Sequence, residues 1–439
     1  NNYLPPDNYQ ESRKQKIVDR TSSTNIGLGL MSVMSAYDLK FIELDKSLQL
    51  IQKMLKTIYE LPKWNGHLYN WYSTKTLLPL KPEYISTVDS GNFVGYLIVL
   101  KTFLEEIKDK ELRDKYEIDT NLYKISELIK NTNFLKLYNP EISLLSIGFN
   151  VEQNKLTDSY YDLLASEARQ ASLIAIAKKD IPSKHWNSLS RTLTSIDGKK
   201  GLVSWSGTSF EYLMPNINIR EYKGSILEES CKFMIMSQKK YCNKLQVPWG
   251  ISEAAYNLKD LNSNYQYKAF GIPWLGLKRG LADDIVVSSY GSILAINKDA
   301  RDVFRNIKEL KKHNAYGKYG LYESIDFTPE RMSGNRKYEV VKTFMAHHQA
   351  LILLSINNLI NKNILQERFH KNPEIKAIDI LLQEKLPEDV IITKERKEKI
   401  EKIKYTGYDT RYIRQVDNLK TDLPDSNVIS NENYTVCMN

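Results

Sequence analysis

Cysteine is scarce: Cys231, Cys242 and Cys437 are the only three in 439 residues. An odd count without metal-type spacing excludes a disulfide framework and a zinc-ligand set, and fits a reducing compartment. No apolar run approaches the roughly 20 residues that a membrane helix needs, and no signal peptide opens the chain. The expectation is therefore a domain that does not itself insert into a membrane. The net charge is +9, but lysines interleave with glutamates, as in the stretch 394–404, and long basic runs are missing. That pattern makes a solvated surface, and it excludes nucleic acid, whose binding needs a basic stripe on a recognisable module. Gly27-Leu28-Gly29 has no strand before it and is not a phosphate loop. Serine and cysteine triad signatures are absent. His347 and His348 are adjacent, project about 100° apart on a helix and make no two-ligand face. No cofactor and no metal are expected.

Hydrophobic residues make up 42% and charged residues 26%, the balance of a folded globular chain. Helical periodicity dominates. Phe41, Leu44, Leu48, Ile51, Leu55 and Ile58 share one helix face, as do Phe93, Leu97, Leu100, Leu104 and Ile107. A helix is predicted over 338–360, with Val341, Met345, Ile352 and Leu359 on a stripe that includes His348. Segments 160–178, 224–240 and 300–312 are also predicted as helices, and alternating strand patterns are few and short. The loops between them combine Gly, Pro, Trp and Tyr with a carboxylate or amide. Helix pairs joined by such loops predict an all-α fold, an (α/α)6 barrel of helical hairpins whose loops form a cup. The expected organisation is an N-terminal linker over 1–20, the barrel over 21–395, and a C-terminal extension over 396–439.

The chain has six tryptophans and 28 tyrosines; Trp64, Trp205, Trp249 and Trp274 each lie within two residues of a Gly or Pro, and Trp71 closes the Gly66 loop. Rigid aromatic faces in an open groove suit sugar rings; the competing assignment is core packing at the barrel mouth. Trp71, Trp205, Trp249 and Tyr322 are the candidate substrate-binding aromatics, with His347 as a partner for a sugar hydroxyl. Glycoside cleavage needs two carboxyl groups, one to protonate the leaving oxygen and one to attack or to activate water. Glu253 is the first candidate, read as starting a helix after an N-cap at Ser252. A helix dipole there lowers its pKa, so an acid role requires burial to win. Glu323, after the Gly320-Leu321-Tyr322 turn, is the second; helix-start capping, shared with Asp326, is its bland alternative. Glu211 and Asp89 are reserves, and Asp89 is equally an N-cap for the helix that follows.

Eight motifs, in order, resemble the central, glycoamylase-like region of cyclic β-1,2-glucan synthases. They include Thr21-Ser22-Ser23-Thr24-Asn25-Ile26-Gly27-Leu28, Gly66-His67-Leu68-Tyr69-Asn70-Trp71-Tyr72, Ser86-Thr87-Val88-Asp89-Ser90-Gly91-Asn92 and the Tyr160 to Arg169 stretch. Ser204-Trp205-Ser206-Gly207-Thr208, Phe210-Glu211-Tyr212-Leu213-Met214-Pro215, Tyr319 to Asp326, and Met345-Ala346-His347-His348-Gln349 complete the set. The resemblance runs from about residue 20 to about residue 390, with Ser209 and Ala350 departing from the family pattern. It implies an (α/α)6 barrel that closes linear β-1,2-glucan into a ring. It also implies a larger inner-membrane parent, with this domain on the cytoplasmic face beside glycosyltransferase and phosphorylase-like regions.

Ring closure breaks one β-1,2 bond and makes another, so the anomeric centre is retained overall, through a glycosyl-enzyme or another two-step path. On this reading Glu253 is acid/base and Glu323 its partner. A retaining pair stands roughly 5–5.5 Å apart and an inverting pair about 6.5–9.5 Å. The alternatives are a β-1,2-glucan endo-hydrolase on the same barrel and a non-catalytic glucan-binding module of the synthase.

Overall fold

The computed structural model describes residues 2–11, 16–260 and 263–386, together with a strand pair, Asn427–Ser430 with Thr435–Met438. The chain divides into two compact units, Asn1–Glu395 and Arg396–Asn439. The lysine- and glutamate-rich stretch 394–404 and most of the C-terminal extension lie outside the described residues.

The larger unit is built on fourteen α-helices among the described residues. They are α1 (Ser23–Asp38), α2 (Leu44–Glu60), α3 (Thr87–Glu106), α4 (Lys110–Lys115), α5 (Ile118–Asn131), α6 (Arg169–Ala177) and α7 (Lys184–Ser188). Then follow α8 (Ser209–Leu213), α9 (Ile226–Leu245), α10 (Ser289–Ile293), α11 (Ile296–Lys312), α12 (Ala346–Ile360), α13 (Ile364–His370) and α14 (Pro373–Ala377).

Two kinds of helix are present, and their sequences differ accordingly. In α2 and α11 the apolar residues face inward at three- and four-residue steps and charged residues cover the other side. α3 is instead buried on nearly every side, from Thr87 to Leu104, so it has no polar face. α1 packs against α3 and α12, α3 against α6, α8 against α10, and α10 against α12. The link from α6 to α8 is Arg169, whose buried guanidinium donates to the carbonyls of Glu211 and Tyr212 and to Asn216 Oδ1. The contact of α3 with α6 requires glycine: a Cβ at Gly91 would lie 2.2 Å from that of Ala171. Between these helices runs a buried amide ladder, Asn218 to Gln170 (3.0 Å), Gln170 to Asn92 (3.0 Å) and Asn92 to Thr24 (3.3 Å). Every rung satisfies a group that would be costly to bury alone.

Short strands decorate the helix ends. Val286–Ser288, Ser324–Asp326 and Glu339–Val341 form one sheet; Ala254–Lys259 pairs with Tyr265–Lys268, and Asn8–Gln10 with Thr343–Met345. The N-terminal segment, read from sequence as a linker, is thus stitched into the unit.

Several predicted helices are shorter than their periodicity suggested. In 160–178 only Arg169–Ala177 is helical, and Tyr160–Tyr161 is a strand paired with Leu145 and Ser146. Val341 and Met345 belong to strands, so His347 and His348 stand in the first turn of α12 rather than mid-helix. Phe41 precedes α2 and is 71% exposed.

A buried clamp holds the ends of α13, α1 and α3 together. Arg368 donates to both Asp38 oxygens (2.6 and 3.0 Å) and to Glu106 (3.0 Å). Removing one partner of such a group strands the others, at a cost of about 3–5 kcal/mol. Arg368→Ala is therefore expected to lower the urea midpoint by that equivalent. A midpoint unchanged from wild type contradicts the clamp.

Candidate active site

Two cavities meet at one end of the helices. The larger, about 650 Å³, is lined by Tyr160, Tyr161, Trp205, Ser206 and Glu211. The smaller, about 260 Å³, is lined by Arg20, Trp71, Asp89, Tyr267 and His347. Glu167 and Glu253 line both.

Glu253 does not start a helix. Gly250, at φ +134°, turns the chain under Ser288, where a Cβ would come within 2.7 Å of a carbonyl oxygen. The backbone then enters the strand Ala254–Lys259, and Glu253 is its approach. Ser252 is not an N-cap: its hydroxyl accepts from the Phe210 amide and bonds the Tyr290 hydroxyl. The helix dipole that would have lowered the Glu253 pKa is absent. Burial, then the Glu211 charge, pushes it up to about 7, with Tyr267 pulling the other way by donating to Oε2 at 3.1 Å.

Glu211 completes a capping box on α8 with Thr208. Its carboxylate accepts from Ser204 Oγ, the Ser206 amide, and the Thr208 amide and hydroxyl. Burial raises its pKa and those donors oppose the rise. Asp89 is not the N-cap of α3; Ser86 is, accepting from the Asp89 amide at 3.3 Å, which leaves the Asp89 carboxyl facing the smaller cavity.

Glu323 and Asp326 cap nothing, because Ser324–Asp326 is a strand. Asp326 pairs with Arg331. Glu323 is 1% exposed and lines neither cavity. Its Oε1 bonds His348 Nδ1 at 2.7 Å and accepts weakly from the Ala255 amide at 3.3 Å, while Oε2 has no partner. Burial pushes its pKa up to about 8.

The candidate aromatics divide. Trp205 is 60% exposed over the larger cavity. Trp71 walls the smaller one, with the Arg20 guanidinium 4.2 Å above its ring. Trp249 is away from both: Asn306 bonds its amide and carbonyl, tying the segment to α11. Tyr322 packs on Phe344, and its hydroxyl donates to Glu11 at 2.7 Å. For Trp249 and Tyr322 the packing alternative fits their position. His347 faces the smaller cavity, its pKa held down to about 3 by burial and by His348.

Sequence reasoning missed Glu167. It lies inside the Tyr160 to Arg169 motif, but no spacing marks it as chemical. Burial, then the charges of Glu253, Glu211 and Asp89, raises its pKa well above the carboxylate range. Among the described residues no group of three or more His, Cys, Asp or Glu side chains is arranged to hold a metal ion. No helix there is long and apolar enough to cross a membrane.

A carboxyl whose folded pKa lies above its unfolded value adds stability at low pH, and that contribution is lost as pH rises through the folded pKa. For Glu253 and Glu323 the window runs from 4.5 up to about 7 and about 8. Wild-type stability is expected to fall across it, and Glu253→Gln to fall less steeply in parallel urea titrations at pH 5 and pH 8. Equal slopes contradict the raised pKa.

Residues 159–373 match the model of the glycoamylase family. The chain is 33% identical to the cyclic beta-(1,2)-glucan synthase NdvB of Rhizobium meliloti over 90% of its length, and spans 18% of that protein. Its structure is similar to an endo-beta-1,2-glucanase from Chitinophaga pinensis in complex with sophorotriose and glucose (TM-score 0.70, 14% identity, 87% of this chain and 92% of that one). It is also similar to an endo-beta-1,2-glucanase from Talaromyces funiculosus in complex with sophorose (TM-score 0.67, 13% identity, 89% and 90%).

Proposed function

From a chain that carries a glycoamylase-like domain and is similar to cyclic β-1,2-glucan synthase, we propose a β-1,2-glucan-processing enzyme that cyclises linear glucan by transglycosylation with net retention. The observation that carries this reading is the meeting of two cavities at Glu167 and Glu253, an arrangement suited to a chain threaded past two carboxyl groups. The order of inner helices, α1, α3, α6, α8, α10 and α12, supports an (α/α)6 barrel around the site. Other domains of a parent synthase are its natural partners, with this domain at the cytoplasmic face of the inner membrane.

The carboxyl roles follow from what each group touches. Glu253 accepts a hydrogen bond from Tyr267, which favours its anion. Among the described residues no such donor reaches the Glu167 carboxyl, which burial and the charges of Glu253, Glu211 and Asp89 push toward its neutral form, so it is the better holder of a proton. In the first step the Glu253 carboxylate attacks the anomeric carbon, and Glu167 gives its proton to the departing glycosidic oxygen. In the second step the 2-hydroxyl at the chain's far end attacks the same carbon. Its proton returns to Glu167, and the Glu253 ester bond breaks. Two inversions give retention. Tethering supplies the acceptor at high effective concentration, which favours ring closure over hydrolysis. This replaces Glu323 by Glu167 as the partner of Glu253 and makes Glu253 the nucleophile, because Glu323 is sealed from both cavities. Glu211 and Asp89 supply charge beside the pair, and Trp71 and Trp205 offer ring faces to the sugars.

The test is incubation with linear β-1,2-glucan, counting reducing ends and digesting the products with an exo-acting β-glucosidase. Products that resist digestion, without new reducing ends, are expected. Rising reducing ends with digestible products identify a hydrolase instead. Glu167→Gln and Glu253→Gln are each expected to lower turnover about 10²- to 10⁴-fold while still binding glucan. Full activity in either variant overturns the pairing, and a wild type that binds glucan without altering it leaves a binding module.

A further inference from the structure

Beside Glu253 a hydrogen-bonded chain runs from Tyr267, 41% exposed on the wall of the smaller cavity, to the buried His348 and Glu323, and the two-carboxyl mechanism does not use it. Tyr267, on the strand Tyr265–Lys268, donates to Glu253 Oε2 at 3.1 Å. The same hydroxyl is 3.3 Å from His347 Nε2 and 3.2 Å from His348 Nε2. His348 Nδ1 is 2.7 Å from Glu323 Oε1, and the His348 ring stacks on Tyr290 with 3.6 Å between centroids, the Tyr267 ring centroid lying 5.9 Å away.

We propose that Glu323, His348 and Tyr267 form a one-way hydrogen-bond chain that points the Tyr267 proton at Glu253, making Glu323 a positioning residue rather than a catalytic one. The direction follows from counting protons. A tyrosine hydroxyl has one proton, and here Glu253 receives it. Both histidine Nε2 atoms must then donate to the Tyr267 oxygen. A neutral His348 protonated on Nε2 has a bare Nδ1, which must accept. Glu323 is therefore the donor, with its proton on Oε1. Burial agrees at both sites: it holds His348 neutral and keeps the Glu323 proton in place. The unpartnered Glu323 Oε2 is then the carbonyl oxygen of a neutral acid, far less costly to bury than half of a carboxylate.

The proposal rests on Glu253 as the nucleophile. Glu253 is faced by Glu167 ahead of α6, by Glu211 on α8 and by Asp89 on α3, all acidic. Tyr161, beside the strand contact with Leu145, and Tyr290, on α10, face it too, but the Tyr290 hydroxyl donates to the Glu253 main-chain carbonyl. Among the described residues Tyr267 is the one donor to its carboxylate. Without it, repulsion from the other carboxyls favours protonation, and a protonated Glu253 cannot attack.

The experiment compares Tyr267→Phe, Glu323→Gln and Glu323→Met in the full chain. It reads kcat and KM against pH, and the titration of Glu253 by ¹³C NMR of labelled glutamate carboxyls, assigned by its loss in Glu253→Gln. Tyr267→Phe is expected to lower kcat about 10- to 100-fold with little change in KM, and to move both the acidic limb and the Glu253 titration to higher pH. Glu323→Met is expected to move both the same way. Glu323→Gln, whose amide N–H replaces the carboxyl O–H, is expected to recover most of what Glu323→Met loses. A Gln variant as impaired as the Met variant overturns the chain, because it makes the Glu323 charge essential. An unmoved Glu253 titration in Tyr267→Phe overturns it too, and this arm holds if the Met variant does not fold. If the titration moves as expected while no glucan is turned over, the chain stands and the assigned reaction falls.

Discussion

The dominant constraint on this molecule is the repulsion among carboxyl groups gathered where helices and strands shut out water. Glu167, Glu211, Glu253 and Asp89 border the two cavities, and Glu323 sits just behind them. In a low-dielectric pocket these groups cannot all be charged. The fold answers the four glutamates differently. Glu211 is saturated by four donors from its own capping loop. Glu253 has one donor, and Glu323 faces a histidine. Glu167 is left with burial and its acidic neighbours, which is the environment of a proton holder.

Holding these groups apart demands a rigid frame, and the helices supply it through polar as well as apolar contacts. The Asn218–Gln170–Asn92–Thr24 ladder and the Arg169 fork fix α1, α3, α6 and α8 to one another. Glu167 is two residues from Arg169 and inherits that fixity. The short strands then deliver side chains that helices alone would not. Ala254–Lys259 and Tyr265–Lys268 pair with Tyr267 opposite Ala255, which brings the Tyr267 hydroxyl within hydrogen-bond reach of Glu253, and Thr343–Met345 leads directly into the two histidines.

How far the sequence foretold this depends on the burial of each element. Outer helices such as α2 and α9 were legible because water on one face enforces a period. At 338–360 the apolar spacing was real, but its first part is strand, since a short run buried on both sides reads alike in either form. The Trp-Gly loop points to Glu253, but the Gly250 turn feeds a strand rather than a helix, which no local pattern reveals. Glu167 was invisible to spacing arguments: its partners come from α3, α8 and the approach to a strand, and only the fold brings them together. Trp249 and Tyr322 show the converse, aromatic residues in suggestive loops whose partners turn out to be Asn306 and Glu11.

In the proposed reaction a glucan chain crosses both cavities and is cut and rejoined where Glu167 and Glu253 meet. The most direct measurement is a crystal structure of the Glu253→Gln variant soaked with linear β-1,2-glucan. Sugar rings are expected in both cavities, one on Trp205 and one near Trp71, with the glycosidic oxygen between them in hydrogen-bond reach of Glu167. Glucan confined to a single cavity, or a glycosidic oxygen held by Glu211 or Asp89 instead, would contradict that reaction.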